Sequence, residues 1–253
     1  MSRIDTIFSN TTNALITFVV AGDPSIEATE EAIIAMEAAG ADIIEIGIPF
    51  SDPIADGPVI AAAMHRSLQR GTTPAEVLGM VSNIRSQLKA GIIAMVSHSI
   101  VDKSGGLVFI DRLAEAGFDG IIIPDIDETA AKPLSEHCRT IDFSFTMLIA
   151  PTTPLVRIKK LAALSTGFLY VLARTGLTGE QAEMPDLTKR MNEIRSVTDL
   201  PLAVGFGISN ASQVAAVHEF ADAAIVGSAL VRRLEESDDP TSAASKFVLE
   251  ISH

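Results

Sequence analysis

The chain has 253 residues, 47% of them hydrophobic and 20% charged, a globular composition that excludes a disordered tail or a fibre. Lys and Arg number 19 and Asp and Glu 32, so the net charge is −13, which disfavours nucleic acid and anionic lipid surfaces as partners. A single cysteine, Cys138, can make no internal disulfide and is expected to be a small buried thiol in a reducing, cytoplasmic setting. The first apolar run, at 14–22 (ALITFVVAG), is far shorter than the roughly 18 residues a membrane span needs. It is flanked by Asp5 and followed by Asp23-Pro24 rather than preceded by a basic cluster, so it predicts a strand and not a leader.

Similar short runs, largely apolar and rich in β-branched residues, recur at 15–21, 42–47, 92–96, 120–124, 143–149, 168–172, 201–205 and 223–227. They are continuous rather than alternating, as in strands covered on both faces of a parallel sheet. Helical spacing fills the intervals. At 25–39, Ile26, Ala32, Ile33 and Met36 fall on one side and Glu27, Glu30, Glu31 and Glu37 on the other, with Ile34 the exception. Pro58, Pro74, Pro154 and Pro185 mark first helical turns. Glycine follows helix ends in AAGADI, KAGII and EAGFDGI, as a C-terminal cap does. The phrases EAAGADIIEI and EAGFDGIII predict one event twice: helix end, glycine, then a strand opening on an acid. Eight strands alternating with helices over about 250 residues predict a single (β/α)8 TIM barrel domain spanning 1–253. A doubly wound open sheet is the alternative, and the lack of GxGxxG after the first strand counts against it.

Function in such a barrel sits where strands run into helices. Along the second strand Ile43, Glu45 and Gly47 share one face, and Ile44 and Ile46 the other. A carboxylate wedged under helices costs several kcal/mol, so Glu45 is assigned to the barrel mouth. Partial burial there raises its pKa and suits it to proton transfer near neutral pH; the alternative is a glutamate paired with a basic residue. The next loop adds Asp52 and Asp56 among Pro49, Pro53 and Pro58, which stiffen it. Two carboxylates in different settings can hold different protonation states, although Asp52 equally fits a turn and Asp56 a helix cap.

Glycines gather at three consecutive strand ends: Arg174 to Gly179, then Gly205 and Gly207 around Phe206, then Gly227 before Ser228 and a helix. Glycine lets backbone approach an anion, and helix N-termini bind phosphate, so these ends predict a phosphate cradle that needs no lysine. Tyr170 and Phe18 lie within strands and fit either core packing or the site. His65, His98, His137, His218 and His253 show no metal-ligand spacing, and there is no PLP-lysine motif or Walker loop. His137-Cys138 falls in a helical stretch and is taken as structural. A two-carboxylate site with a phosphate anchor, no metal and no cofactor is the outcome.

Seven segments then stand in order: FVVAGDPS (18–25), DIIEIGIPFSDPIADGP (42–58), GIIIPD (120–125), LIAPTTP (148–154), RTGLTGE (174–180), VGFGISN (204–210) and IVGSA (225–229). By these the chain resembles the tryptophan synthase alpha chain family over nearly its whole length. The resemblance implies retro-aldol cleavage of indole-3-glycerol phosphate to indole and D-glyceraldehyde 3-phosphate, with no cofactor of its own. It also implies an alpha-beta-beta-alpha heterotetramer with a PLP-containing beta chain; a stand-alone lyase and a non-catalytic activating subunit are the alternatives. By the same resemblance Glu45 is the general acid–base, Asp56 contacts the indole N–H, Tyr170 lies near the reacting glycerol and Phe18 walls the indole pocket. Gly179, Phe206, Gly207, Gly227 and Ser228 match the phosphate cradle, and Thr178 a lid that closes towards the Asp56 loop. Two loops depart from the family: 96–100 reads VSHSI where a Thr-Tyr-Tyr-Asn-Pro type sequence is common, and 124–127 reads PDID where Pro-Asp-Leu-Pro is frequent.

Overall fold

A computed structural model describes residues 1–53, 56–173, 187–205 and 207–252. Its strands are β1 (Ala14–Val20), β2 (Ile43–Gly47), β3 (Gly91–Met95), β4 (Gly120–Ile122), β5 (Ser144–Thr146), β6 (Leu148–Ile149), β7 (Leu169–Leu172), β8 (Leu202–Gly205) and β9 (Ala223–Val226). The helices are α1 (Arg3–Asn10), α2 (Ile26–Ala38), α3 (Pro58–Gln69), α4 (Pro74–Ile84), α5 (His98–Lys103), α6 (Leu107–Ala116), α7 (Glu128–Thr140), α8 (Leu155–Leu164), α9 (Thr188–Arg195), α10 (Ala211–His218), α11 (Ser228–Glu235) and α12 (Pro240–Ile251).

The strands pair in parallel in the order β5-β4-β3-β2-β1-β9-β8-β7-β6. The two ends of that order, β5 and β6, are halves of one predicted strand, interrupted only at Met147. The sheet therefore closes on itself, and the Tyr170 amide donates to the Met147 carbonyl (3.1 Å) at the seam. The architecture is the expected (β/α)8 barrel rather than an open sheet.

Local chemistry sets the element ends. Ser25 caps α2 by accepting the Ala28 amide, and Thr29, Ala32, Ile33 and Met36 form its buried stripe. Pro58 and Pro74 begin their helices, whereas Pro154 sits one position earlier, as the N-cap of α8; Pro185 lies outside the described residues. Gly40 (φ +113°) and Gly117 (φ +100°) follow their helices in the left-handed region, as expected. Gly91 differs. It opens β3 and is small because a Cβ there would stand 2.5 Å from Ile4 Cδ1.

The acids that open strands share one task at the base of the barrel. Asp42 Oδ2 accepts the Leu15 amide (2.8 Å), Asp119 Oδ2 the Ile92 amide (2.8 Å) and Asp222 Oδ2 the Leu202 amide (2.7 Å). Each thus satisfies a backbone donor at the start of a neighbouring strand. Apolar side chains inside the barrel, among them Ile16, Ile43, Ile93, Ile122 and Phe168, meet α1, which closes the base with Ile4, Ile7 and Phe8. A separate apolar cluster at the other end joins Phe18 and Val20 of β1 to Ile60, Ala63 and Met64 of α3 and Val231 of α11. Helix α3 consequently covers one side of the mouth.

Candidate active site

Glu45 is the central residue of β2, with Phe18 of β1 and Ile93 of β3 as cross-strand neighbours. The predicted alternation holds, and its face is the barrel interior. Burial is complete, deeper than the partial burial expected from sequence, and neither carboxylate oxygen meets a hydrogen-bond partner among the described residues. The pairing with a basic residue is therefore not what the fold provides. Removal from water pushes its pKa from 4.5 up to about 8.

Asp56 follows at the top of the barrel. Its amide donates to the Pro53 carbonyl (3.1 Å), and the N-cap of α3 is its neighbour Gly57 rather than Asp56 itself. Burial raises the Asp56 carboxyl to about 6. Tyr170, on β7, lies against Gly205 of β8, whose missing side chain leaves room for the phenol. Its pKa stands well above the usual 10, through burial first and then through the charges of Glu45 and Asp56. The phenol therefore keeps its proton and remains able to donate a hydrogen bond. Gly47 admits the Phe18 ring in the same way: a Cβ there would come within 2.7 Å of Phe18 Cζ.

At the top of the barrel a narrow cleft opens to solvent; Asp56 lines it, whereas Glu45, Tyr170 and Phe18 do not. Ile48, Phe50, Met64, Met95 and Val96 give it apolar walls, Asp56 lies on one side, and Ser97 and Asp125 on another; exposed Asp52 stands at the rim. A flat aromatic ring with one polar edge suits such a space. Of the apolar walls the sequence marked only Val96, at the start of the departing loop 96–100, although Met64 shares helical spacing with Ile60 on the buried face of α3.

The predicted cradle is partly in view. Gly207 has φ +87° just after β8, Gly227 is the N-cap of α11 and buried Ser228 is its first residue, so unpaired helix amides begin at this point. Thr178, Gly179 and Phe206 lie outside the described residues. The two departing loops prove to be one unit. Asp125 accepts the Ser97 hydroxyl (3.0 Å) and the His98 amide (2.8 Å), and Asp127 caps α7 through the Thr129 and Ala130 amides. His137 bonds Asp111 (2.6 Å) and Cys138 is buried, away from the cleft lining, as their structural assignment requires.

Fold and site together define a (β/α)8 barrel with a buried carboxyl inside and a second carboxyl at its mouth. Comparison with known proteins makes this specific: the family model described as tryptophan synthase alpha chain matches residues 5–252. The tryptophan synthase alpha chain of Synechococcus elongatus is 43% identical over 88% of this chain and 85% of its own, and that of Rippkaea orientalis 41% over 88% and 84%. Among solved structures, tryptophan synthase from Mycobacterium tuberculosis is similar with a TM-score of 0.90 at 30% identity, covering 99% of this chain and 98% of its own. The alpha subunit from Pyrococcus furiosus gives 0.89 at 31% identity, covering 96% and 98%. The chain belongs to the tryptophan synthase alpha chain family. It is a lyase of tryptophan biosynthesis acting on indole-3-glycerol phosphate, in a family whose alpha subunits are generally cofactor-free and typically pair with a beta chain. No helix among the described residues is long and apolar enough to cross a membrane.

Proposed function

We propose that Glu45 and Asp56 perform the cleavage, the first as general acid and then base, the second as the anion that steadies the ring. The observation that carries this is the fully buried Glu45 carboxyl on the inner face of β2, without a hydrogen-bond partner among the described residues and with a pKa of about 8, while Asp56, at the top of the same barrel, has a carboxyl near 6. At pH 7 the two acids then differ in charge: Glu45 is mainly protonated and Asp56 mainly ionised. Indole leaves poorly as a carbanion, so a proton must reach ring C3 before the bond to the glycerol carbon breaks. Glu45 gives that proton, which remains on the indole product. The Asp56 carboxylate accepts the ring N–H as positive charge develops on the ring. As the carbon–carbon bond breaks, the Glu45 carboxylate takes the proton of the glycerol hydroxyl, whose carbon becomes the aldehyde, and Glu45 is regenerated. Tyr170 donates to the glycerol oxygens, and Phe18 packs against the ring.

The phosphate is held by Gly207, Gly227 and Ser228, joined by Gly179 and Phe206, and Thr178 belongs to a lid that closes to exclude water. The chain serves as one domain over 1–253, in the cytoplasm, within an alpha-beta-beta-alpha heterotetramer whose beta chain alone carries PLP. Purified chain supplied with indole-3-glycerol phosphate, with and without a tryptophan synthase beta chain, tests both parts. Indole formation that rises on mixing is the expected result. Full turnover without stimulation would make the chain a stand-alone lyase, and no indole under either condition would leave it an activating subunit.

A further inference from the structure

Helices α3 and α11 both begin at the site, one just after Asp56 and the other at Ser228, and they pack side by side through Ile60, Ala63, Met64 and Val231. Their far ends meet at Arg66, and Arg70, the C-cap of α3, also reaches Asp23 (3.5 Å). Arg66, in the last turn of α3, donates from Nε to Asp23 Oδ1 (3.0 Å) and from Nη2 to Oδ2 (2.6 Å), while Nη1 reaches Glu235 at the end of α11 (2.6 Å). The Asp23 side chain is only 8% exposed, and it lies just beyond β1, the strand that carries Phe18. A planar fork matched to a carboxylate fixes orientation as well as distance. The neighbouring Ser67 hydroxyl donates to the Ala21 carbonyl (2.6 Å), and Gly22 has no room for a Cβ because Ser67 and Thr72 occupy that space. The C-terminal end of α3 is thus pinned to the end of β1.

We infer that Arg66 is a positioning residue for the reaction: by clamping α3 to Asp23 and to α11 it sets where Asp56 stands relative to the phosphate-binding end of Ser228. This rests on the role proposed for Asp56. The eight helical steps from Pro58 to Arg66 span about 12 Å, so a tilt of about 5° at the clamp moves the start of α3, two residues from Asp56, by roughly 1 Å. A misplacement of that size is enough to cost about 100-fold in rate. Arg66 itself touches no reacting atom.

The experiment is a double-mutant cycle on the full chain with indole-3-glycerol phosphate, joining Arg66→Met to Asp56→Asn and reading kcat and KM separately. Arg66→Met is expected to lower kcat by about 10- to 100-fold with KM within threefold, Arg66→Lys to recover part of the loss, and Arg66→Met to add nothing when Asp56 is already Asn. Should Arg66→Met fail to fold, Asp23→Asn, which keeps the side-chain shape, takes its place in the cycle. The inference is overturned if kcat stays within twofold, if KM alone changes, or if the same factor is lost with and without Asp56. A normal kcat in Asp56→Asn alone would instead overturn the role of Asp56, so the two failures are distinguishable.

Discussion

At the base of the barrel Asp42, Asp119 and Asp222 each accept a strand amide, and Asp119 also receives Arg3 and Arg85. Inside the barrel Glu45 accepts no hydrogen bond from the described residues, and at the mouth Asp56 lines a largely apolar cleft. Burial acts at both ends. At Asp42 it raises the pKa, while the Leu15 amide and the charge of His218 pull it back. At Glu45 nothing offsets it. The same functional group is held by donors at one end and lacks them, among the described residues, at the end where we propose that it reacts, and one barrel separates the two settings by its length.

The largest expected effect comes from removing the acid at the mouth. Glu45→Gln should lower turnover by about 10²- to 10⁴-fold with substrate affinity little changed, since it removes proton transfer and leaves the shape. Steady-state and binding measurements on the same variant check both halves; comparable turnover would remove Glu45 from the mechanism.

That variant should also sharpen the comparison in the opposite sense, as stability. The folded chain holds the Glu45 proton up to a pKa of about 8, whereas the unfolded chain releases it near 4.5. The folded state therefore binds the extra proton between those values, and stability falls as pH rises through that window. The contribution is whole below pH 4.5 and gone above 8. Glutamine stays neutral throughout. Urea melts at pH 8.5 should thus show Glu45→Gln more stable than the parent by several kcal/mol, at about 1.4 kcal/mol per pKa unit, and melts at pH 4.5 should coincide. Equal stability at both pH values would mean that Glu45 is solvated in the native protein.

At the other end the consequence reverses. Asp119→Ala removes the acceptor of the Ile92 amide and the carboxylate paired with Arg85, a side chain 15% exposed whose other hydrogen bonds go to the carbonyls of Leu88, Ala90 and Gly117. Leaving that charge unpaired should cost about 3 kcal/mol in urea unfolding, while the more exposed Arg3 adds little. The kcat should be unchanged, because Asp119 lies at the end of the barrel away from the cleft. A fall in kcat without a fall in stability would erase the distinction between the two ends.

These two ends were not equally legible. The strand around Glu45 and the face it occupies follow from a period of two, which is local. Its depth is not local, because it depends on how the strands close and on α1 filling the base. The acids of GADI and GFDG announce strand starts, but the amides they serve lie 27 residues earlier in the chain, beyond any periodic signal. Gly91 resembles Gly40 in sequence, yet Ile4 demands it rather than a left-handed turn. The fifth strand reads as one run because its break at Met147 is where the closed sheet changes partners. The link from Arg66 to Asp23 spans 43 residues, and only the folded chain brings the two together.

The smallest effect tests the anchor beside the acids. An alanine at Gly227 would place its Cβ 3.5 Å from Phe18 Cβ, an ordinary contact, and the backbone there is not left-handed. Stability should therefore hold within about 0.5 kcal/mol, as for substitutions that create neither a cavity nor strain. In the proposed binding mode the added methyl nevertheless stands beside the first amides of α11, to which the phosphate binds. Displacing one charge-assisted hydrogen bond costs about 1.5 kcal/mol, close to a tenfold loss of affinity. Titration of Gly227→Ala with inorganic phosphate and with glyceraldehyde 3-phosphate should show that loss for both ligands, because both present the same group to the same amides. An unaltered affinity would place the phosphate away from α11, and with it the end of the substrate opposite to Asp56.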